Sequence, residues 1–192
     1  MRVTSGKMKG YKIKIPPGDR VRPAQDIVRQ AIFNMLGENI IDARALDLFA
    51  GSGSLGIEAL SRGCDWCDFV DKDKKCVVVI KENLLHTHFE EKSKVYTMST
   101  KRFIDKLVNG EAIDKTIDKI DKYDFIFLSP PYAQGIDLEL FEKLPQVLKS
   151  RGVVIFEHAK ETKLPTNLDN LKLLDQRTYG AATISFLQKV AP

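Results

Sequence analysis

Ala45-Leu46-Asp47-Leu48-Phe49-Ala50-Gly51-Ser52-Gly53-Ser54-Leu55-Gly56 is the stretch that decides the fold. Its first five residues form a short β-prone run, and the residues after Gly53 carry helical spacing. Between them the glycines fit G-x-G-x-x-G in the strand–turn–helix setting that the pattern requires. Gly51 suits a tight turn, Gly53 lets a ligand approach the backbone, and Gly56 lets the helix pack close to the sheet. A second strand, over 66–70, leads into Asp71, 20 residues after Gly51. A carboxylate there can accept both hydroxyls of a ribose, so loop and acid together point to a nucleoside-containing cofactor.

Outward from this unit, strands and helices alternate. Helices are expected at 53–62, 74–85, 101–108 and 138–148, between strands at 45–49, 66–70, 94–97, 123–128 and 153–157. This rhythm predicts an α/β fold, a doubly wound and mainly parallel sheet covered on both faces. Strands at 171–177 and 183–187 turn at Tyr179-Gly180 with no helix between them, so the seven-stranded sheet closes with an antiparallel hairpin. At the other end, residues 2–15 alternate as a small β-hairpin turning near Gly10, and Pro16-Pro17-Gly18-Asp19 breaks it. Pro23 opens a helix through Leu36, with Val28, Ile32 and Met35 on its apolar face. The expected organisation is a basic arm over 1–20 and one catalytic domain over 21–192.

Composition bounds the function. The chain has 192 residues, 43% hydrophobic and 29% charged, which suits an ordinary soluble domain. No apolar run approaches the roughly 20 residues that span a bilayer. The first residues lack the apolar core of a secretory signal, so the expected compartment is the cytoplasm. Cys64, Cys67 and Cys76 are then expected as reduced thiols. Cys64-x-x-Cys67 is a single knuckle where a zinc site wants two, so no metal is expected. Net charge is +4, but residues 1–36 hold eight Lys or Arg against Asp19 and Asp26. That local surplus suggests a polyanionic partner such as nucleic acid.

Ser129-Pro130-Pro131-Tyr132 follows the strand Tyr123–Leu128. Two prolines stop strand pairing, because neither has an N–H to donate. The chain is held extended there, presenting a hydroxyl, rigid carbonyls and an aromatic ring. Such a set can grip a flat heterocycle bearing an amino group. In a sheet whose order reverses beside strand one, strand four lies next to strand one, and the two strand ends open onto one crevice. Glycine loop and amine clamp then face each other. Asp47, inside the first strand, competes poorly with a pyrophosphate at the helix N-terminus and better suits a cationic amino-acid group. On these features S-adenosylmethionine and a nicotinamide dinucleotide both remain open.

Asp-x-Phe-Ala-Gly-Ser-Gly followed by a Pro-Pro-aromatic clamp resembles the Rossmann-like, class I methyltransferases of exocyclic amines. Over essentially the whole chain the sequence resembles the RsmD family of bacterial 16S rRNA guanine-N2 methyltransferases. The likeness runs through Gly6-Lys7-x-x-Gly10, Arg22-Pro23, Asp26-x-Val28-Arg29-x-Ala31-x-Phe33-Asn34, the stretch from Leu46 to Gly63, and Tyr179-Gly180. It implies S-adenosyl-L-methionine as methyl donor, held by Asp47, Phe49, Ala50, Gly51, Ser52, Gly53, Leu55, Gly56, Asp71, Lys72, Ser99, Thr100 and Ser129. It implies a catalytic clamp of Ser129, Pro130, Pro131 and Tyr132. Lys7, Lys9, Lys12, Lys14, Arg22 and Arg29 would bind 16S rRNA or the small ribosomal subunit, with the protein acting as a monomer that needs no protein partner or membrane. Two positions depart from the family. Ser129 stands where the family usually has Asp, and Met98-Ser99-Thr100 stands where it usually has an acidic or amide residue near the adenine. Other readings are a DNA-adenine or protein-amide methyltransferase of the same fold, a nicotinamide-dependent oxidoreductase, or an RNA-binding module without turnover.

Overall fold

The computed structural model describes residues 1–17, 26–113, 121–132, 135, 137–164, 168 and 170–190. In chain order they form α1 (Asp26–Leu36), β1 (Arg44–Leu48), α2 (Ser54–Ser61), β2 (Trp66–Asp71), α3 (Lys74–His86), β3 (Ser93–Thr97) and α4 (Thr100–Val108), then β4 (Tyr123–Leu128), α5 (Leu138–Val147), β5 (Leu148–Ala159), β6 (Leu171–Tyr179) and β7 (Ala182–Lys189). The sheet has seven strands in the order β3-β2-β1-β4-β5-β7-β6. β1 to β5 pair in parallel, and β7 enters antiparallel between β5 and β6. The order reverses between β1 and β4, so their carboxyl ends flank the switch point where ligands bind in doubly wound sheets.

The central strands β1, β2, β4 and β5 are buried on both faces, and alternate residues along them enter opposite layers. Ala45, Phe125, Phe127 and Ile155 face one way and pack with α1, α2 and α3 residues such as Phe33, Ile57 and Ile80. Leu46, Leu48, Ile126, Leu128 and Phe156 face the other way, against Phe103 and Ile104 of α4 and Phe141 and Leu144 of α5. Phe33 and Phe127 meet at 5.6 Å between ring centroids, and Phe141 meets Phe156 edge-on at 5.0 Å. Full burial of each such ring stabilises the fold by about 1.5–3 kcal/mol. Cys67 lies within β2 and is completely buried, as expected of a small core residue.

Most elements fall within a residue or two of the sequence expectation. β5 differs: it begins at Leu148, not 153, and its pairing with β4 shifts register between Tyr123 and Phe125. Arg151, with φ of 61°, lies in this irregular entry. An apolar strand pattern starts only at Val153, which is why the entry is invisible to periodicity. The hairpin strands β6 and β7 also run longer than their apolar cores.

The N-terminal hairpin is minimal. Its ladder consists of a bridge between Arg2 and Lys12, with Val3 N donating to Tyr11 O and Ile13 N to Met1 O. The segment closes onto the body: Val3 and Ile13 join the core beside α1 and α2. Gly6 is required by contact, since a Cβ there would lie 1.9 Å from Ser61 O. The expected helix start at Pro23 falls outside the described residues.

Candidate active site

β1 leaves the sheet through Phe49, whose φ of 57° is left-handed and unusual for a bulky residue. Gly51 (φ 56°) and Gly53 (φ 75°) continue the turn, and Ala50 O accepts from Gly53 N at 2.7 Å. The loop is then fixed by two carboxylates. Asp71, at the end of β2, accepts from Gly51 N at 2.9 Å through Oδ2 and from Asp73 N at 2.9 Å through Oδ1. Asp47 accepts from Gly56 N at 2.9 Å and is only 2% exposed. It takes up an N–H of the first turn of α2, the position a pyrophosphate would use. Burial pushes the Asp47 carboxyl up to about 8; the Gly56 N–H pulls it down in part and the charge of Asp71 adds to the rise.

Gly56 is needed for close packing. A Cβ there would meet Phe69 Cε1 at 2.3 Å and Cys67 Sγ at 2.7 Å. Asn83 of α3 ties the loop to the N-terminal segment, because its Nδ2 donates to both Ser52 O and Lys14 O at 2.9 Å. Lys14 N donates back to Asn83 Oδ1 at 2.8 Å.

A cleft of about 190 Å³ opens at the carboxyl ends of β1 to β5, on the α4 and α5 side. Phe49, Asp71, Lys72, Ser99, Thr100 and Pro130 line it, bringing together residues that the sequence assigns to the cofactor and the clamp. Ala50, Ser52, Leu55 and Gly56 lie in or under the loop and shape it; Ser52 and Leu55 are buried. Ser99 caps α4, its Oγ accepting from Arg102 N at 3.3 Å. The remaining wall comes from Leu128, Phe156 and the start of α5, including Asp137, Leu140 and Phe141. Sequence reading did not single these out, since an apolar residue at a strand end resembles any core residue. A mainly apolar cleft with a carboxylate in its lining suits an adenosine.

β1 and β4 pair with Leu48 beside Leu128, and Ser129 N reaches Leu48 O at 3.5 Å. The clamp therefore starts directly beside the glycine loop. Tyr132 is 40% exposed, and its hydroxyl donates to Glu157 Oε1 at 3.0 Å. Ser129 Oγ donates to Glu157 Oε2 at 3.3 Å. Glu157 is buried, near the end of β5, and burial raises its pKa, with the bonds from Tyr132 and Ser129 lowering it in part. This residue was missed in the sequence. A sole carboxylate ending a strand that borders the clamp strand was the available signal.

Lys7, Lys9, Lys12 and Lys14 are exposed, Lys14 in a solvent-facing ion pair with Glu82. Arg22 lies outside the described residues. Arg29 corrects the expectation of RNA contact: it is 1% exposed. Its guanidinium donates to Asp26 Oδ1 at 2.7 Å and Arg2 O at 2.6 Å, with Glu58 Oε2 at 3.6 Å. Glu58, itself buried, accepts from Thr4 Oγ1 at 2.6 Å, Ser5 N at 3.0 Å and Arg62 Nε at 2.9 Å. Arg29 is thus an internal anchor of the N-terminal segment, chosen for its fork of donors.

Comparison with known proteins adds to this geometry. The profile of the family described as Conserved hypothetical protein 95 matches residues 1–188. A proposed rRNA methyltransferase of Bacillus subtilis, YlbH, is 36% identical over 98% of this chain and 99% of its own. Ribosomal RNA small subunit methyltransferase D of Escherichia coli K12 is 28% identical over 100% of this chain and 91% of its own. Among solved structures, YhhF of Escherichia coli, a proposed methyltransferase, superposes with a TM-score of 0.83 at 28% identity, covering 100% of this chain and 99% of that one.

Proposed function

The chain belongs to the Conserved hypothetical protein 95 family, the RsmD family that its motifs resemble, and on that premise we propose that it methylates the exocyclic N2 amine of a guanine in 16S rRNA, using S-adenosyl-L-methionine. One observation carries the reading: the glycine loop and the Ser129–Tyr132 clamp leave adjacent strands, β1 and β4, at the switch point. The bound donor would supply an electrophilic methyl group. Asp71 would hold its ribose and the Phe49–Phe156 slot its adenine. The protein's own contribution is then alignment and electrostatics.

Guanine N2 is a weak nucleophile, because its lone pair is delocalised into the ring. Ser129 Oγ and the Pro130 carbonyl would accept its two N–H groups and favour a pyramidal nitrogen. Tyr132 would stack on the base, a contact worth about 1–3 kcal/mol on other base–aromatic platforms. A paired base cannot enter such a cleft, so the target must be unpaired or flipped out. Lys7, Lys9 and Lys12 would meet the RNA backbone. Such an enzyme would work in the cytoplasm, on the small subunit or its precursor, as a monomer. The basic segment over 1–20 would be its docking arm and 21–192 its catalytic domain.

A calorimetric screen of S-adenosylmethionine against NAD, followed by transfer of labelled methyl to small subunits from cells lacking the enzyme, tests the reading. Binding of S-adenosylmethionine and label in the RNA support it. Binding of NAD alone, or no label in RNA, overturns it.

A further inference from the structure

We propose that Glu157 is the proton-accepting partner of the amine clamp, acting on the substrate amine through the Ser129 hydroxyl while it fixes the Tyr132 ring. This inference rests on the amine-methyltransferase reading above. The topology places the carboxylate. β4 and β5 pair with Leu128 beside Phe156, so Ser129 and Glu157 are the next residues outward on neighbouring strands. By alternation both turn to the sheet face opposite the cleft that Leu128 and Phe156 line. The carboxylate then lies across the sheet from that cleft, on the face that Ile155 and Ile184 share.

Its two oxygens have separate partners, Tyr132 OH at 3.0 Å on Oε1 and Ser129 Oγ at 3.3 Å on Oε2. Across β7 its register neighbour is Ile184, flanked by Thr183 and Ser185. Among the described residues no cation forms an ion pair with it, and the groups that face its carboxylate are those two hydroxyls. A carboxylate 8% exposed and held, among the described residues, by two hydroxyls carries a desolvation cost that no described cation offsets. Bonded to two clamp residues at the carboxyl ends of β4 and β5, such a group is a candidate for a functional position.

The arrangement also resolves the serine. A hydroxyl can donate or accept, whereas the clamp needs an acceptor. With its one proton committed to Glu157, Ser129 Oγ has only lone pairs left for the amine. In the transfer, the amine lone pair forms the new N–C bond, and the electron pair of the breaking C–S bond stays on sulfur. The sulfonium becomes a neutral thioether and the amine becomes cationic. The amine then gives one proton to Ser129 Oγ, while Ser129 passes its own proton to Glu157 Oε2. Glu157 returns to its ionised form by losing that proton to water. The raised pKa of Glu157 brings this acceptor nearer neutral pH, where a proton acceptor works best.

The test is single-turnover methylation of deficient small subunits across pH by the wild type, Glu157→Gln and Glu157→Asp. The wild-type rate should rise with pH through an acid limb above the ordinary glutamate range. Glu157→Gln should lose that limb and about 10–100-fold in rate, with affinity for donor and RNA nearly unchanged. If Glu157→Gln does not fold, Glu157→Asp decides, and it should keep the limb at a reduced rate. In the donor-free protein, the Glu157 carboxyl ¹³C resonance should titrate above the ordinary range, and higher still in Ser129→Ala. Wild-type label with an equal rate and limb in the variants, or an ordinary Glu157 titration, overturns this inference alone. No label from the wild type on any RNA overturns it together with the reading on which it rests.

Discussion

Asp71 Oδ2 accepts from Gly51 N at 2.9 Å, so the end of β2 holds the turn that ends β1. The same carboxylate lines the cleft. One residue thus sets the shape of the loop and, in the proposed reading, would meet the ribose. Asp71→Asn leaves a weaker, neutral acceptor for Gly51. A charge-assisted bond of this kind contributes about 1.5–3 kcal/mol, so S-adenosylmethionine should bind roughly 10–100-fold more weakly in titration calorimetry. Equal affinity would remove Asp71 from the donor site.

Gly56 allows α2 to lie against β2. In Gly56→Ala the added methyl must displace Phe69, whose Cε1 would be 2.3 Å away. Overpacking of this kind costs about 1–3 kcal/mol. Denaturant melts should show that loss, and Phe69→Leu in the same chain should recover part of it. Wild-type stability in Gly56→Ala would mean that the helix shifts freely.

Asp47 carries a pH dependence of defined sign. Its carboxyl is pushed from 3.8 to about 8 in the folded protein. Between those values the folded chain keeps a proton that the unfolded chain has lost. The contribution is therefore fully present below the unfolded value and falls by about 1.4 kcal/mol per pH unit as pH rises, levelling off above about 8. Stability of the wild type should drop relative to Asp47→Asn from pH 5 to 8, measured by urea melts at each pH. Parallel curves would show that Asp47 is ionised in the fold.

The N-terminal residues divide into a buried anchor, Arg29, and exposed lysines proposed to meet RNA. Arg29→Ala removes the buried guanidinium that joins Asp26, Arg2 O and Glu58, while Glu58 keeps Arg62, so the fold should lose about 1–3 kcal/mol. Joint replacement of Lys7, Lys9 and Lys12 by Ala should leave the melting temperature nearly unchanged. It should weaken RNA binding and flatten its salt dependence. For about four phosphates neutralised on single-stranded RNA, log K should fall with log[salt] at a slope near −3 in the wild type. An unchanged slope in the triple variant would show that these lysines only solvate the surface.

The sheet was legible in the sequence because short β-prone runs alternate with helical segments from β1 to β5. Gly51, Gly53, Gly56 and Asp71 were legible because their chemistry is local: turn geometry, close packing and one acid at a fixed spacing. What the sequence hid depends on contacts between distant segments. Arg29 looks like surface charge until Glu58, 29 residues later, is brought beside it. Glu157 looks like the polar end of a strand until β5 pairs with β4. The irregular entry to β5 has no periodicity to reveal it.

The most direct measurement is the identity of the methylated nucleoside. Small ribosomal subunits lacking the modification are incubated with the protein and labelled S-adenosylmethionine, and the 16S rRNA is digested and separated. N2-methylguanosine is expected at one position, with the yield strongly reduced in Ser129→Ala. Label on adenosine, on another atom of guanosine or on ribosomal protein would contradict it.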